Sequence, residues 1–217
     1  MPKIFIYGEK EIEYLKKVDP TLGAIIDQVG PIERVVISDL FTALVNSIVG
    51  QQISSKAMDT VWGRFEKRFP QITPKALYNT SLDEIQQCGM SMRKANYIKE
   101  AASKVLSGEL DIDELYTLSE EEVIEKLSAL HGVGVWTAEM IMIFCMQRPN
   151  IMSWGDLAIQ RGLRMLYHHR KIDKKLFQKY KRRYSPYASV ASLYLWEISG
   201  GAGNLIDYAP KLKKNKK

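Results

Sequence analysis

"SALHGVGVWTAEMIMIFCM", residues 128–146, joins a charged segment to an almost wholly apolar one through Gly-Val-Gly. Paired glycines interrupt a helix, because each loses more conformational freedom on ordering than any other residue. The segment before the turn, "SEEEVIEKLSAL" (119–130), repeats apolar residues every three or four positions behind a serine suited to a helix start. From about Val135 to Met146 the only charge is Glu139, which predicts a helix buried nearly all round. The stretch therefore reads as two helices and a tight turn, spanning about 119–147. Leu130 and Val133 are placed to anchor it. Gly132 and Gly134 allow positive φ and leave no Cβ between the backbone and an approaching group. The open N–H groups of the second helix favour an anion such as phosphate. Trp136 is the first large residue after the turn.

Outward from this hairpin the same pattern recurs. "EKEIEYLKKV" (9–18) and "PTLGAIIDQVG" (20–30) come first, the latter opening on Pro and closing on Gly. "SDLFTALVNSIVGQQIS" (38–54), "SKAMDTVWGRFEKRF" (55–69), "SLDEIQQCG" (81–89) and "SMRKANYIKEAASKVLSG" (91–108) lead up to the hairpin. "DLAIQRGLRMLYHH" (156–169), "DKKLFQKYKRRY" (173–184) and "PYASVASLYLWEISG" (186–200) follow it, with His168 and His169 ending a helix. Only "IFIYG" (4–8) could pair as a strand or simply pack. Few segments alternate and no 20–50-residue repeat is visible, so the expectation is an all-α protein of about ten short helices. No flexible linker divides it. Residues 1–210 read as one compact core, and any two-lobed arrangement must come from the chain crossing over.

The 217 residues, 46% hydrophobic and 26% charged, have the balance of a globular protein. Two cysteines, Cys88 and Cys145, are too few for a disulfide framework or a four-cysteine iron–sulfur site and read as core filler. No basic-then-apolar leader opens the chain, and no apolar run reaches the roughly 20 residues a bilayer requires. A soluble intracellular protein without membrane contact is expected. Five of the charges behind the net +6 belong to the tail "KLKKNKK" (211–217), expected to be disordered, so the body carries only about +1. That body is segregated: residues 109–125 hold eight acids and no base, whereas 170–183 hold eight bases against Asp173. Each block alone reads as a solvated helix face; together they suit a polyanion approached from one side.

In "SWGDLAIQRGL" (153–163), Asp156 follows a glycine and precedes a helical pattern, so by itself it reads as an N-cap. The Leu-x-Gly-Val-Gly spacing matches the helix–hairpin–helix pattern of DNA binding without sequence preference. With "VNSIVGQQIS" (45–54), "CGMSMRKA" (88–95), "LHGVGVWTAEMI" (130–141), "GDLAIQRGL" (155–163) and "SPYASVASLYLW" (185–196) in this order, the chain resembles the helix–hairpin–helix DNA glycosylase superfamily. Within it the 3-methyladenine DNA glycosylase II family is most similar. The likeness covers most of residues 38–200 and lacks the extra N-terminal β domain of longer members.

The resemblance implies a two-lobed helical fold with an active-site cleft between the lobes, acting as a monomer on double-stranded DNA that contains a damaged base. The implied reaction is base-excision repair of alkylated purines: 3-methyladenine or 7-methylguanine is flipped out and hydrolysed from its sugar, leaving an abasic site. An extruded base leaves a gap, and the implied wedge is Gln52, with Gln51 and Ile53 beside it; several relatives place an apolar residue there. Gly132, Gly134, Val135 and Thr137 would grip the DNA backbone. A purine alkylated at N3 or N7 is cationic and is attracted by an indole face, which gives Trp136, Trp196 and Tyr187 a base-pocket role. Met140 stands where some relatives carry tyrosine, so this pocket is less aromatic. Tyr187 and Tyr194 also fit a plain core reading. Asp156 would stabilise the oxocarbenium-like sugar and orient water. Strand-cutting relatives keep a lysine at the position of Trp136, so no lyase step is expected. No cofactor is required; a structural Na⁺ or K⁺ is implied at the backbone carbonyls of Ser128, Leu130 and Val133. A cytoplasmic, nucleoid-associated or nuclear location follows. The alternatives are a glycosylase for a neutral base such as uracil or 8-oxoguanine, and a non-catalytic DNA-binding protein.

Overall fold

Residues 3–209 are described by the computed structural model, and the lysine-rich tail lies outside them. Twelve α-helices and two 3₁₀ turns form the described residues. The only β pairing among them is an isolated antiparallel bridge, Ile4 to Val35, at the segment read as strand or packing. No helix is long and apolar enough to cross a membrane among the described residues. The chain divides into two compact units, each with its own core. One is continuous, Val36–Met146; the other is assembled from described residues 3–35 and 147–209.

The discontinuous unit begins with α1 (Glu9–Val18) and α2 (Pro20–Val29). Between them Asp19, only 2% exposed, caps α2 by accepting the Leu22 N–H at 3.0 Å. A carboxylate this deep is costly unless paired. Its other oxygen accepts the Tyr167 hydroxyl at 2.5 Å and the Arg183 guanidinium at 2.6 Å.

The continuous unit contains α3 (Leu40–Gly50), α4 (Ser55–Arg68), α5 (Pro74–Asn79), α6 (Leu82–Gln86), α7 (Met92–Leu106), α8 (Glu120–Ser128) and α9 (Val135–Phe144). Asp39, Ser54, Thr73, Ser81, Ser91 and Ser119 each accept a backbone N–H at a helix start. Such caps contribute about 1 kcal/mol each. Helix α5 has no counterpart in the sequence reading. At six residues it is too short to display a period, although Thr73 and Pro74 form a good helix start. Leu44, Ile48, Phe65, Leu77, Ile98, Leu127, Met142 and Ile143 fill the core. Cys88 and Cys145 are free and buried; burial pushes the Cys145 thiol up to about 11.

The other unit resumes with α10 (Leu157–Tyr167), α11 (Lys174–Tyr184) and α12 (Ala188–Gly200). His168, left-handed at φ 57°, ends α10. Helix α12 is buried continuously from Ala188 to Leu195. A Cβ on Gly162 of α10 would lie 2.4 Å from the Leu195 carbonyl oxygen, so the two backbones approach more closely than any side chain permits.

Candidate functional site

The hairpin turn occupies residues 129–134, between α8 and α9. Leu130 and Val133 are buried, and the Val133 N–H donates to the Leu130 carbonyl at 3.1 Å. The two glycines prove unlike. Gly132 has φ +82°, and a Cβ there would sit 2.3 Å from the Tyr97 ring, so glycine is required both for conformation and for room. What approaches its missing side chain is protein, not ligand. Gly134, expected to use positive φ, has φ −103° instead, and nothing lies within 4 Å of a Cβ built on it. Gly134 serves as the N-cap of α9 without a capping side chain, facing open space.

Helix α9 is also not buried nearly all round as its composition predicts. Val135 and Trp136 are 53% and 48% exposed, whereas Ala138, Ile141, Met142 and Ile143 are buried. The physical reason is the turn, which ends the packed hairpin one residue earlier and leaves the first turn of α9 at the surface. Thr137, expected to touch DNA, is buried on the inner side of this turn of helix.

A second turn, between α3 and α4, carries Gln51, Gln52 and Ile53. Gln52 takes φ +55°, a left-handed conformation unfavourable for a residue with a Cβ. Ile53 and Gln52 are exposed. The Gln51 side-chain amide donates to the Gly132 carbonyl, tying this turn to the hairpin. Lys94, near the start of α7, donates to the Val49 carbonyl at 2.8 Å and the Gln51 carbonyl at 2.6 Å. Burial, with the Arg93 charge beside it, lowers the Lys94 pKa. Further along α7, Tyr97 packs beneath Gly132 and Glu100 meets the His131 ring nitrogen at 2.7 Å. One face of α7 thus braces both turns.

A cavity of about 590 Å³ within this unit brings together Gln51, Gln52, Gly132, Trp136, Thr137 and Met140 from the sequence reading. It adds Met58, which no motif included, and Asn46 and Ser47, which lie in the quoted stretch 45–54 without a role assigned to them. At the end of α8, the Ser128 hydroxyl is buried without a hydrogen-bond partner. That orphaned oxygen is a hard donor of the kind a monovalent cation takes, and it is the one observation here that fits a cation at Ser128, Leu130 and Val133.

In the other unit, Asp156 is 7% exposed at the N-terminus of α10. One carboxylate oxygen accepts the Ala158 and Ile159 N–H groups at 2.8 and 2.9 Å. The other accepts the Trp196 indole N–H at 3.2 Å, so the N-cap geometry and a fixed carboxylate coincide. The loop before Asp156 is held by α12. Ser189 accepts the Ile151 N–H at 2.9 Å and donates to the Arg148 carbonyl, and Ser192 donates to the Ile151 carbonyl at 3.3 Å. Trp154 stands edge-on to Phe177, 5.1 Å between centroids. Trp196 therefore reaches the candidate carboxylate. Tyr187 is half-buried edge-on against Tyr14, and Tyr194 is buried with its hydroxyl on the Gly30 carbonyl. Tyr194 is core, the plainer of its two readings.

Comparison with known proteins gives this arrangement a family. Residues 45–186 match the HhH-GPD superfamily base excision DNA repair protein family, and the chain belongs to it. It is 32% identical over 183 residues to DNA-3-methyladenine glycosylase 1 of Schizosaccharomyces pombe, covering 81% of this chain and 78% of that protein. The crystal structure of a DNA-3-methyladenine glycosidase from Bacillus halodurans superposes with a TM-score of 0.80 at 37% identity, covering 91% of this chain and 93% of the other. The 3-methyladenine DNA glycosylase of S. pombe in complex with abasic DNA gives a TM-score of 0.76 at 29% identity, over 93% of this chain and 100% of that one.

Proposed function

We propose that the protein is a monofunctional DNA glycosylase that hydrolyses the N-glycosidic bond of alkylated purines, leaving an abasic site. The observation that carries this reading is the Asp156 carboxylate, buried and held by two backbone N–H groups and the Trp196 indole. A carboxylate fixed in this way is preorganised to stabilise positive charge that develops beside it. N3- or N7-alkylation makes the purine a cationic leaving group, so departure of the neutral base needs no protonation. As the bond between C1′ and the base nitrogen lengthens, charge passes to the deoxyribose, where Asp156 stabilises it. Water then adds to C1′ and gives up a proton, for which Asp156 is the nearby base.

Trp196, beside Asp156, offers an indole face to the cationic purine, since a hydrogen bond made at the indole edge does not use the π-face; Trp136 is a candidate for the same kind of contact. The open backbone at Gly134 and the start of α9 receive a phosphate, with Gln52 entering the gap left by the extruded base. A cation held by Ser128, Leu130 and Val133 would supply positive charge beside that phosphate. Trp136 has no amine with which to form a Schiff base, which supports hydrolysis without strand cleavage. The reading places a monomer wherever the genome lies.

The test is release of 3-methyladenine from methylated duplex DNA. Asp156→Asn should slow it about 10²–10³-fold, the size expected when one preorganised electrostatic interaction is removed. Undiminished release by the variant would overturn the assignment, and faster release of uracil or 8-oxoguanine than of alkylated bases would move the protein to the neutral-base class. Strand cleavage by the wild-type protein would refute the monofunctional part.

A further inference from the structure

Gln52 has no conformational licence of its own. Its φ of +55° is disfavoured for any residue bearing a Cβ, and such strain persists only where the surroundings over-determine it. The bracing comes from Lys94. Helix α3 ends at Gly50, and its last carbonyls have no partner further along the helix. The Lys94 ammonium meets the Val49 carbonyl at 2.8 Å and the Gln51 carbonyl at 2.6 Å, one on each side of Gly50 and both before Gln52. The Gln51 side chain then donates to the carbonyl of Gly132, whose turn rests on Tyr97, one helical turn along from Lys94. Two of the three ammonium protons are committed to protein carbonyls, which a lysine recruited simply to grip phosphate would not need.

We infer that Lys94 is a positioning residue for base extrusion: it holds the α3–α4 turn so that Gln52 enters the duplex while the hairpin keeps its grip on the backbone. The inference rests on the proposed glycosylase function and deepens it. Lys94 touches neither base nor sugar; it acts through the backbone of residues 49–52. Loss of the ammonium frees Gln52 to relax towards negative φ, and the extruded state loses its plug while encounter with DNA is unaffected.

The experiment uses the full chain and a duplex carrying 2-aminopurine beside an abasic-site analogue, so that insertion is read by fluorescence without bond cleavage. Lys94→Met, which keeps the aliphatic stem, should slow the fluorescence change about tenfold, and single-turnover release of 3-methyladenine to a similar degree. Affinity for undamaged duplex and its salt dependence should stay within about twofold, and Lys94→Arg should recover most of the rate. Should Lys94→Met not fold, Lys94→Gln, a neutral donor of similar reach, takes its place. An unchanged fluorescence step in the variant overturns the inference. So does a salt slope smaller by about one, which would make Lys94 a phosphate contact. A wild-type protein that gives the fluorescence change but releases no base refutes the glycosylase reading, while the Lys94 comparison still stands on the fluorescence.

Discussion

Gly132 and Gly134 look interchangeable in "HGVGV" and do opposite work. The first is needed by the protein, for a left-handed turn pressed against Tyr97; the second leaves a surface open. Gly132→Ala should destabilise by about 2–4 kcal/mol, from the backbone conformation and the clash together, measured by urea unfolding. Gly134→Ala should cost within about 0.5 kcal/mol in the same experiment yet weaken binding to duplex DNA several-fold, because its Cβ occupies the space a phosphate would approach. Equal stability losses at the two positions would contradict this division. Trp136 and Asp156 were legible because each stands at a fixed distance from a turn that glycine or a helix start announces. Lys94 was not. Its partners lie more than forty positions away in sequence, and a lysine in an amphipathic helix looks like solvated surface until the C-terminus of α3 is placed beside it.

Among the elements, the pairing of α10 with α12 decides where the candidate carboxylate sits. Gly162 lets the helices close, and Trp196 on α12 then reaches Asp156 on α10. Gly162→Ala must push against the Leu195 backbone rather than a flexible side chain. It should cost about 1–3 kcal/mol and lower the rate of base release more than DNA affinity. The final described segment adds a second clamp on α10. Asp207 accepts from Arg164 through both carboxylate oxygens, at 2.9 and 2.8 Å, and Tyr208 packs on His168. The hydrogen bonds from Arg164 hold the Asp207 carboxyl below its ordinary value of 3.8. A carboxyl depressed on folding stabilises the protein above the unfolded value and loses that contribution as pH falls through the lowered one. Asp207→Asn should therefore cost about 1 kcal/mol at neutral pH, and the gap from wild type should close in acid unfolding below pH 3.8. Periodicity and caps sufficed to read eleven of the twelve helices. Which helices embrace was hidden, because a backbone approach that leaves a Cβ on Gly162 only 2.4 Å from the Leu195 carbonyl oxygen depends on one absent methyl rather than on any pattern.

Over the whole molecule, charge and fold coincide. The acidic block lies in the continuous unit, at α8 and the 3₁₀ turn before it; the basic block lies in the other, on α11. Phe177, Tyr180 and Tyr184 turn the apolar face of α11 inward, leaving Lys175 and Lys179 exposed one turn apart. Lys175→Glu with Lys179→Glu should weaken DNA binding and flatten its dependence on salt concentration, by about one unit of slope for each phosphate no longer neutralised. Charge reversal at Glu120 and Glu121 should leave the slope unchanged; a steeper slope there would show that α8 also meets DNA.

The discontinuous unit has a consequence for biosynthesis. When residues 3–35 leave the ribosome, the α10–α12 partners of α1 and α2 do not yet exist, and all of Val36–Met146 must emerge first. Helices α1 and α2 are too short to persist alone, and their apolar faces wait uncovered. The nascent chain can thus complete its hairpin before it can build the end of α10 that carries Asp156. A chain terminated and released near residue 150 would carry the whole hairpin segment without the candidate carboxylate.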